Sequence, residues 1–146
     1  MRLTRAGEYA VRCMLYLCSL GEGEIGNRKQ IAHQMQIPDP FLGKIAQQLA
    51  KAGLIEIVQG AKGGYRLVVP PRKLTLLSVV EAVVGEIFLN DCIVRPESCS
   101  RSATCSVHRV WEKARQRLRG TLREATFASL LPQSCAAQNP EPEHRV

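Results

Sequence analysis

At Gly53 the hydrophobic pattern of this chain changes period, and that change restricts the fold more than any other feature of the sequence. Before Gly53 apolar residues recur every three or four positions; after it they fall into short runs suited to strands. Over residues 4–20, Ala6, Tyr9, Ala10, Cys13, Leu17 and Leu20 share one helical face. Residues 21–26 interrupt the pattern. Asn27, with Gln30 three positions on, resembles a capping box and starts a short helix that turns Ile31, Ala32 and Met35 inward. Ile37-Pro38 ends it. Asp39-Pro40 then supplies an N-cap and a first-turn proline for a third helix, with Leu42, Ile45, Ala46 and Leu49 on its core face. That helix runs to about Ala52, where Gly53 stops it. A strand over 54–58, a glycine-rich turn over 59–64 and a strand over 65–69 follow, closed by Pro70-Pro71.

Three helices and a two-stranded hairpin are the layout of a winged helix–turn–helix, so the predicted fold class is mainly α with a small β-hairpin wing. The third helix sets a polar face of Gly43, Lys44, Gln47, Gln48 and Lys51 opposite its apolar one. A helix fits the DNA major groove, where Gln pairs with adenine and Lys with guanine edges or phosphate. Gly43 lets the backbone approach DNA, and the helix N-terminus near Phe41 is suited to a phosphate. Lys62 and Arg66 place positive charge on the wing. The competing reading of Lys44, Gln47, Gln48 and Lys51 is a solvated helix face, equally common for any one of them. Lys and Arg number 20 against 13 Asp and Glu, a formal charge of +7, which favours a polyanionic partner.

Beyond the hairpin, Leu76–Val84 reads as a fourth helix with Thr75 a candidate N-cap. Residues 90–104 have no period. From Ser106 to about Ala125 a long basic helix carries the stripe Val107, Val110, Trp111, Ala114, Leu118, Leu122 and Ala125. Cys92, Cys99 and Cys105 lie within 14 residues, spaced Cys-x(6)-Cys-x(5)-Cys. Three thiolates on one loop are soft ligands for an iron–sulfur cluster, zinc or a cuprous ion. They leave a four-ligand site one short. His108, three residues beyond Cys105, is a candidate fourth ligand, and Trp111, one turn further on, a candidate shield. Against this stands a reading of three free thiols and a surface histidine. Cys13 and Cys18 read as small hydrophobes and Cys135 as incidental.

The opening MRLTRAGEYAVRCMLYL, the segment IAHQMQIPDPFLGKIAQQLAKAGLI, the wing VQGAKGGYRL and the cysteine loop ending CSVHRVW together resemble the bacterial IscR/NsrR-type winged-helix regulators over about residues 1–130. The resemblance implies homodimeric transcription factors that sense iron–sulfur status, nitric oxide or redox state. It implies that Cys92, Cys99 and Cys105 hold a [2Fe-2S] or [4Fe-4S] cluster and that the helix after them, through Val107, Val110, Trp111, Ala114, Leu118 and Leu122, is the dimerisation helix. His108 matches the residue that completes the [2Fe-2S] site in IscR-like members. Glu8 matches the acidic residue that ligates a [4Fe-4S] cluster from the partner subunit in NsrR-like members. The chain departs from IscR-like members in three places: Gly43 replaces an acidic recognition-helix residue, Gln59 stands where an Arg often precedes the wing glycines, and the six-residue gap from Cys92 to Cys99 is one longer than is common there, though it varies across the family.

The expected organisation is a DNA-binding domain over 1–71, a connecting helix and cluster loop over 72–104, a dimerisation region over 105–131 and a disordered tail over 132–146. The expected partners are double-stranded DNA carrying a pseudo-palindromic operator and a second copy of the chain. No secretory leader or membrane-spanning stretch is read from the sequence, so a cytoplasmic location is expected. No catalytic triad, phosphate loop or nucleotide fingerprint appears, so an enzyme is not expected. The rival readings are a regulator whose cysteines form a thiol switch or a zinc site, and a cluster-carrying protein–protein interaction module.

Overall fold

The computed structural model describes residues 3–132. The expected tail over 132–146 lies, from residue 133 on and with Cys135, outside the described residues. Helix α1 (Arg5–Leu20) is capped by Thr4, whose hydroxyl accepts from the Gly7 amide at 3.2 Å. After strand β1 (Ile25–Gly26), Asn27 caps α2 (Arg28–Gln34) by accepting from the amides of Lys29 and Gln30. Helix α3 (Asp39–Lys51) follows after a short turn, with β2 (Ile55–Val58) and β3 (Gly64–Leu67) forming the hairpin. Helix α4 (Leu76–Val84) begins at a full capping box between Thr75 and Ser78. The described chain ends with α5 (Asp91–Val94), a 3-10 turn (Pro96–Ser98), α6 (Ser106–Glu124) and α7 (Phe127–Leu130).

Three details differ from expectation. The sheet has three strands, ordered β1-β3-β2, all antiparallel. Two residues give no visible period, so β1 was not legible, yet Gly26 faces Tyr65 in register. A Cβ on Gly64 would lie 2.1 Å from the Gly26 carbonyl oxygen, and one on Gly63 would lie 2.1 Å from that of Val58. The glycine pair of the wing is thus required by close backbone approach. The α3 cap also moves by one residue: Pro38 is the N-cap and Asp39 is already helical. The Asp39 carboxylate bonds Arg28 instead of folding back onto its own helix. Third, residues 90–104, which show no period in the sequence, contain α5 and the 3-10 turn, both too short to reveal one.

One apolar core joins α1, α2, α3 and the sheet, through Met14, Leu17, Ile31, Leu42, Leu49 and Tyr65, to Leu74 and Val79. It also takes in Phe127, which is fully buried. The Phe127 amide donates to Leu74 O at 2.8 Å and the Leu76 amide to Ala125 O at 2.8 Å, so the chain after α6 returns to the start of α4. Cys13 and Cys18 belong to this core. Burial pushes both thiols up to about 12, with the charge of Cys18 adding to the effect on Cys13. They are thiols, not thiolates, at neutral pH and behave as small apolar side chains.

Candidate nucleic-acid interface and cysteine loop

Leu42, Ile45, Ala46 and Leu49 anchor α3 in the core, so its opposite face must point outward. Lys44, Gln47, Gln48 and Lys51 are all exposed there. The turn before α3 needs support because Gln36 takes a positive φ of 53°, unusual for a residue with a Cβ. Arg12 of α1 supplies it, donating through Nη1 to the carbonyl oxygens of Met35 and Gln36 at 3.4 Å each. Its guanidinium also lies 5.5 Å from the centre of the Tyr9 ring, which in turn meets the Phe41 ring at 6.0 Å. The Phe41 amide is already committed to Pro38 O at 3.0 Å, so Phe41 offers a ring to this surface and not a free helix-terminal donor.

The polar face of α3 meets the wing across an open cleft of about 630 Å³. Arg28, Asp39, Gly43 and Gln47 line one side and residues 57–61 and 63–65 of the hairpin the other. Lys62 is exposed at the wing tip. Arg66 is less free than its type suggests: it faces Glu56 in the ladder and donates to that carboxylate from Nε and Nη2, at 3.1 and 2.8 Å. Arg28, which the sequence reading passed over, bonds Asp39 with a bidentate fork of 3.0 and 2.9 Å.

The cysteine loop hangs between α4 and α6. Its first residues are tied to both helices: the Ile87 amide donates to Glu81 Oε1 at 3.1 Å, and Arg115 Nε donates to Ile87 O at 2.9 Å. Arg115 also pairs with Glu86 and Glu112, and Arg119 with Glu81. Cys92 sits in α5, Cys99 follows the 3-10 turn and Cys105 is the N-cap of α6. Cys99 is exposed, Cys92 and Cys105 are half-buried, and none of the three is in a disulfide among the described residues. No group of three His, Cys, Asp or Glu side chains among the described residues converges closely enough to hold a metal ion. His108 lies one turn into α6 with its Nδ1 buried and without a hydrogen-bond partner. With the Asn90 amide oriented to satisfy both its ends, its oxygen accepts from Trp111 Nε1 at 3.0 Å, fastening α6 to the start of the loop.

No residue of α6 is buried, although Val107, Val110, Trp111, Ala114, Leu118 and Leu122 stripe its length. Val107 and Val110 are 46% and 61% exposed. Beside the lower half of the stripe runs an apolar groove of about 650 Å³, lined by α1, α4 and α6 and including Val11, Val80, Leu118 and Leu122. Glu8 lines this groove too, and none of the three loop cysteines does. No helix among the described residues is long and apolar enough to cross a membrane.

The Rrf2 family profile, described as "Iron-dependent Transcriptional regulator", matches residues 3–133. A regulator named NsrR from Geobacillus kaustophilus is 33% identical over 132 residues, covering 90% of each chain. A putative HTH-type transcriptional regulator from Haemophilus influenzae is 30% identical over 131 residues, 90% of this chain and 87% of its own. Among solved structures, IscR of T. potens superposes with a TM-score of 0.73 at 25% identity, covering 97% of this chain and 93% of the other. The oxidized form of Staphylococcus aureus CymR gives a TM-score of 0.67 at 27% identity, covering 97% and 99%.

Proposed function

Because this chain belongs to the Rrf2 family of transcriptional regulators, we propose that it acts as a cytoplasmic homodimer whose affinity for a pseudo-palindromic operator is set by an iron–sulfur cluster held on its cysteine loop. Its relatives are regulators, not enzymes. The observation that carries the cluster reading is the donor set of the loop. Three uncommitted thiols stand within 14 residues, and the imidazole nitrogen one turn beyond them is buried with nothing to bond. A buried polar atom without a partner is costly and asks for a ligand. Soft thiolates with one nitrogen suit iron–sulfur chemistry. Cys92, Cys99 and Cys105 would hold the group, with His108 in the same chain or Glu8 of a second copy as the fourth ligand. A bound cluster supplies a redox- and nitric-oxide-sensitive centre whose state the loop reports.

The protein's own residues carry that report to DNA. Ile87 opens the loop and is bonded to α4 through Glu81 and to α6 through Arg115, so a change in the loop pulls on both helices. Helix α4 packs on α1, and α1 braces the α2–α3 turn through Arg12. In the dimer, movement of α6 resets the distance between two copies of α3, which selects operators with half-sites about one helical turn apart or a multiple of it. Lys44, Lys51 and Lys62 meet phosphates and Gln47 and Gln48 meet base edges. The dimer itself rests on α6: 19 residues, about 28 Å of helix, with an apolar stripe and no buried side chain.

Anaerobic purification tests this reading. Brown protein with stoichiometric iron and sulfide, and salt-sensitive binding to inverted-repeat duplexes, supports it. Colourless protein sinks the cluster half. The similarity to a CymR structure described as oxidized favours one second reading, in which the loop thiols form a switch by disulfide exchange. Under that reading the metal-free protein loses or gains DNA affinity on treatment with a dithiol.

A further inference from the structure

In the cleft between α3 and the wing, the guanidinium of Arg28 occupies the space that Gly43 leaves empty. A Cβ on Gly43 would stand 2.8 Å from Arg28 Nη2 and 3.3 Å from its Cζ. Arg28 is thereby laid against the middle of the face that α3 turns outward. Asp39 fixes the fork: its Oδ1 accepts from Nε at 3.0 Å, its Oδ2 from Nη2 at 2.9 Å, and its carbonyl oxygen from Nη2 at 3.0 Å. Those three bonds use Nε and Nη2 fully. Both N–H groups of Nη1 have no acceptor among the described residues.

The electrostatics make this an odd place for a cation held only for stability. Arg28 is the first residue of α2, and its partner Asp39 is the first residue of α3. Both helices present the positive ends of their dipoles there, which disfavour a cation. An exposed ion pair returns about 0–1 kcal/mol. Asp39 instead does what a carboxylate does behind a reading arginine: it removes the rotational freedom of the guanidinium and aims the remaining donors. Tyr65 of the wing lines the same cleft as Arg28.

We propose that Arg28, seated on Gly43 and aimed by Asp39, is a specificity-determining base contact that reads a guanine acceptor in the major groove of each half-site. The inference rests on the DNA-binding reading above. It gives this chain a reader contributed by α2 where the α3 position beside it has no side chain. The shared chemistry, a guanidinium donating to an oxygen or ring nitrogen, is also that of a phosphate contact, and the two differ in sequence dependence.

The experiment is selection from a randomised duplex pool with the full-length protein, repeated with Arg28→Ala, Arg28→Lys and Gly43→Ala. Thermal denaturation checks folding; exposed Arg28 is expected to be dispensable for it. The wild type is expected to select a guanine at one symmetric position. Arg28→Ala and Arg28→Lys are expected to lose that preference by on the order of tenfold, other positions holding. Gly43→Ala, which puts a methyl in the guanidinium's seat, is expected to alter preference at the same position. Unchanged preferences in Arg28→Ala, or equal weakening on selected and random duplexes, overturn the proposal and leave the DNA-binding reading standing. A wild type that enriches no duplex overturns both.

Discussion

Arg119 grips Glu81 with two nitrogens, Nε at 2.7 Å from Oε1 and Nη2 at 3.0 Å from Oε2, across the seam between α6 and α4. The pair is mostly shielded from solvent, with side-chain exposures of 24% and 19%. The same Glu81 oxygen that faces Nε accepts the Ile87 amide, so one carboxylate joins the long helix, the fourth helix and the root of the cysteine loop.

The hydrogen bond from Arg119 holds the Glu81 carboxyl below its ordinary value, against the opposing effect of burial. A folded-state pKa below the unfolded one contributes stability that is complete above the unfolded value, about 4.3, and is lost as pH falls through the folded value. Glu81→Gln keeps an acceptor for Ile87 and loses the charge. It is expected to cost about 1–2 kcal/mol at pH 7, between the values of exposed and buried pairs. The gap from wild type should close in urea titrations run progressively below about pH 4. A gap that stays constant with pH would count against an ionic role.

Phe127 is fully buried in the core shared by α1, α3 and α4. Phe127→Ala is expected to destabilise the fold by about 3–5 kcal/mol, read from denaturant midpoints. A loss under 1 kcal/mol would mean that α7 is not part of the cooperative core.

Cys99→Ala is expected to abolish stable iron and sulfide binding after anaerobic purification while leaving the fold intact, because Cys99 is exposed. His108→Ala and Glu8→Ala separate the two candidates for the fourth ligand through the visible spectrum. A normal spectrum in both variants would remove both residues from the site.

Leu118 lies on the α6 stripe and lines the groove beside α1 and α4. Leu118→Asp is expected to shift the protein toward monomer in sedimentation and to weaken operator binding by at least tenfold, since two half-sites then no longer share one protein. A dimer of unchanged stability would remove α6 from the interface.

Three helices, a hairpin, the core face of α3 and the cap at Thr75 could be read from the sequence, because each is written locally: in a three-to-four-residue period, a capping side chain or a glycine where the chain must turn. The loop cysteines could be read for the same reason, being close in the chain. The sequence alone did not determine what arises between distant segments. Strand β1 exists because Ile25 and Gly26 pair with Arg66 and Tyr65, Phe127 enters the core because residues 125–127 pair with residues 74–76, and Arg66 is neutralised by a cross-strand glutamate. Arg28 shows the difference most plainly. By position it is a charged residue at a helix start; only when α2 and α3 are packed does it meet Asp39 and the space above Gly43. Local patterns fix which elements form, since they depend on neighbours in the chain. Which side chains share a site depends on how those elements close on one another, and that was decided by the tertiary structure.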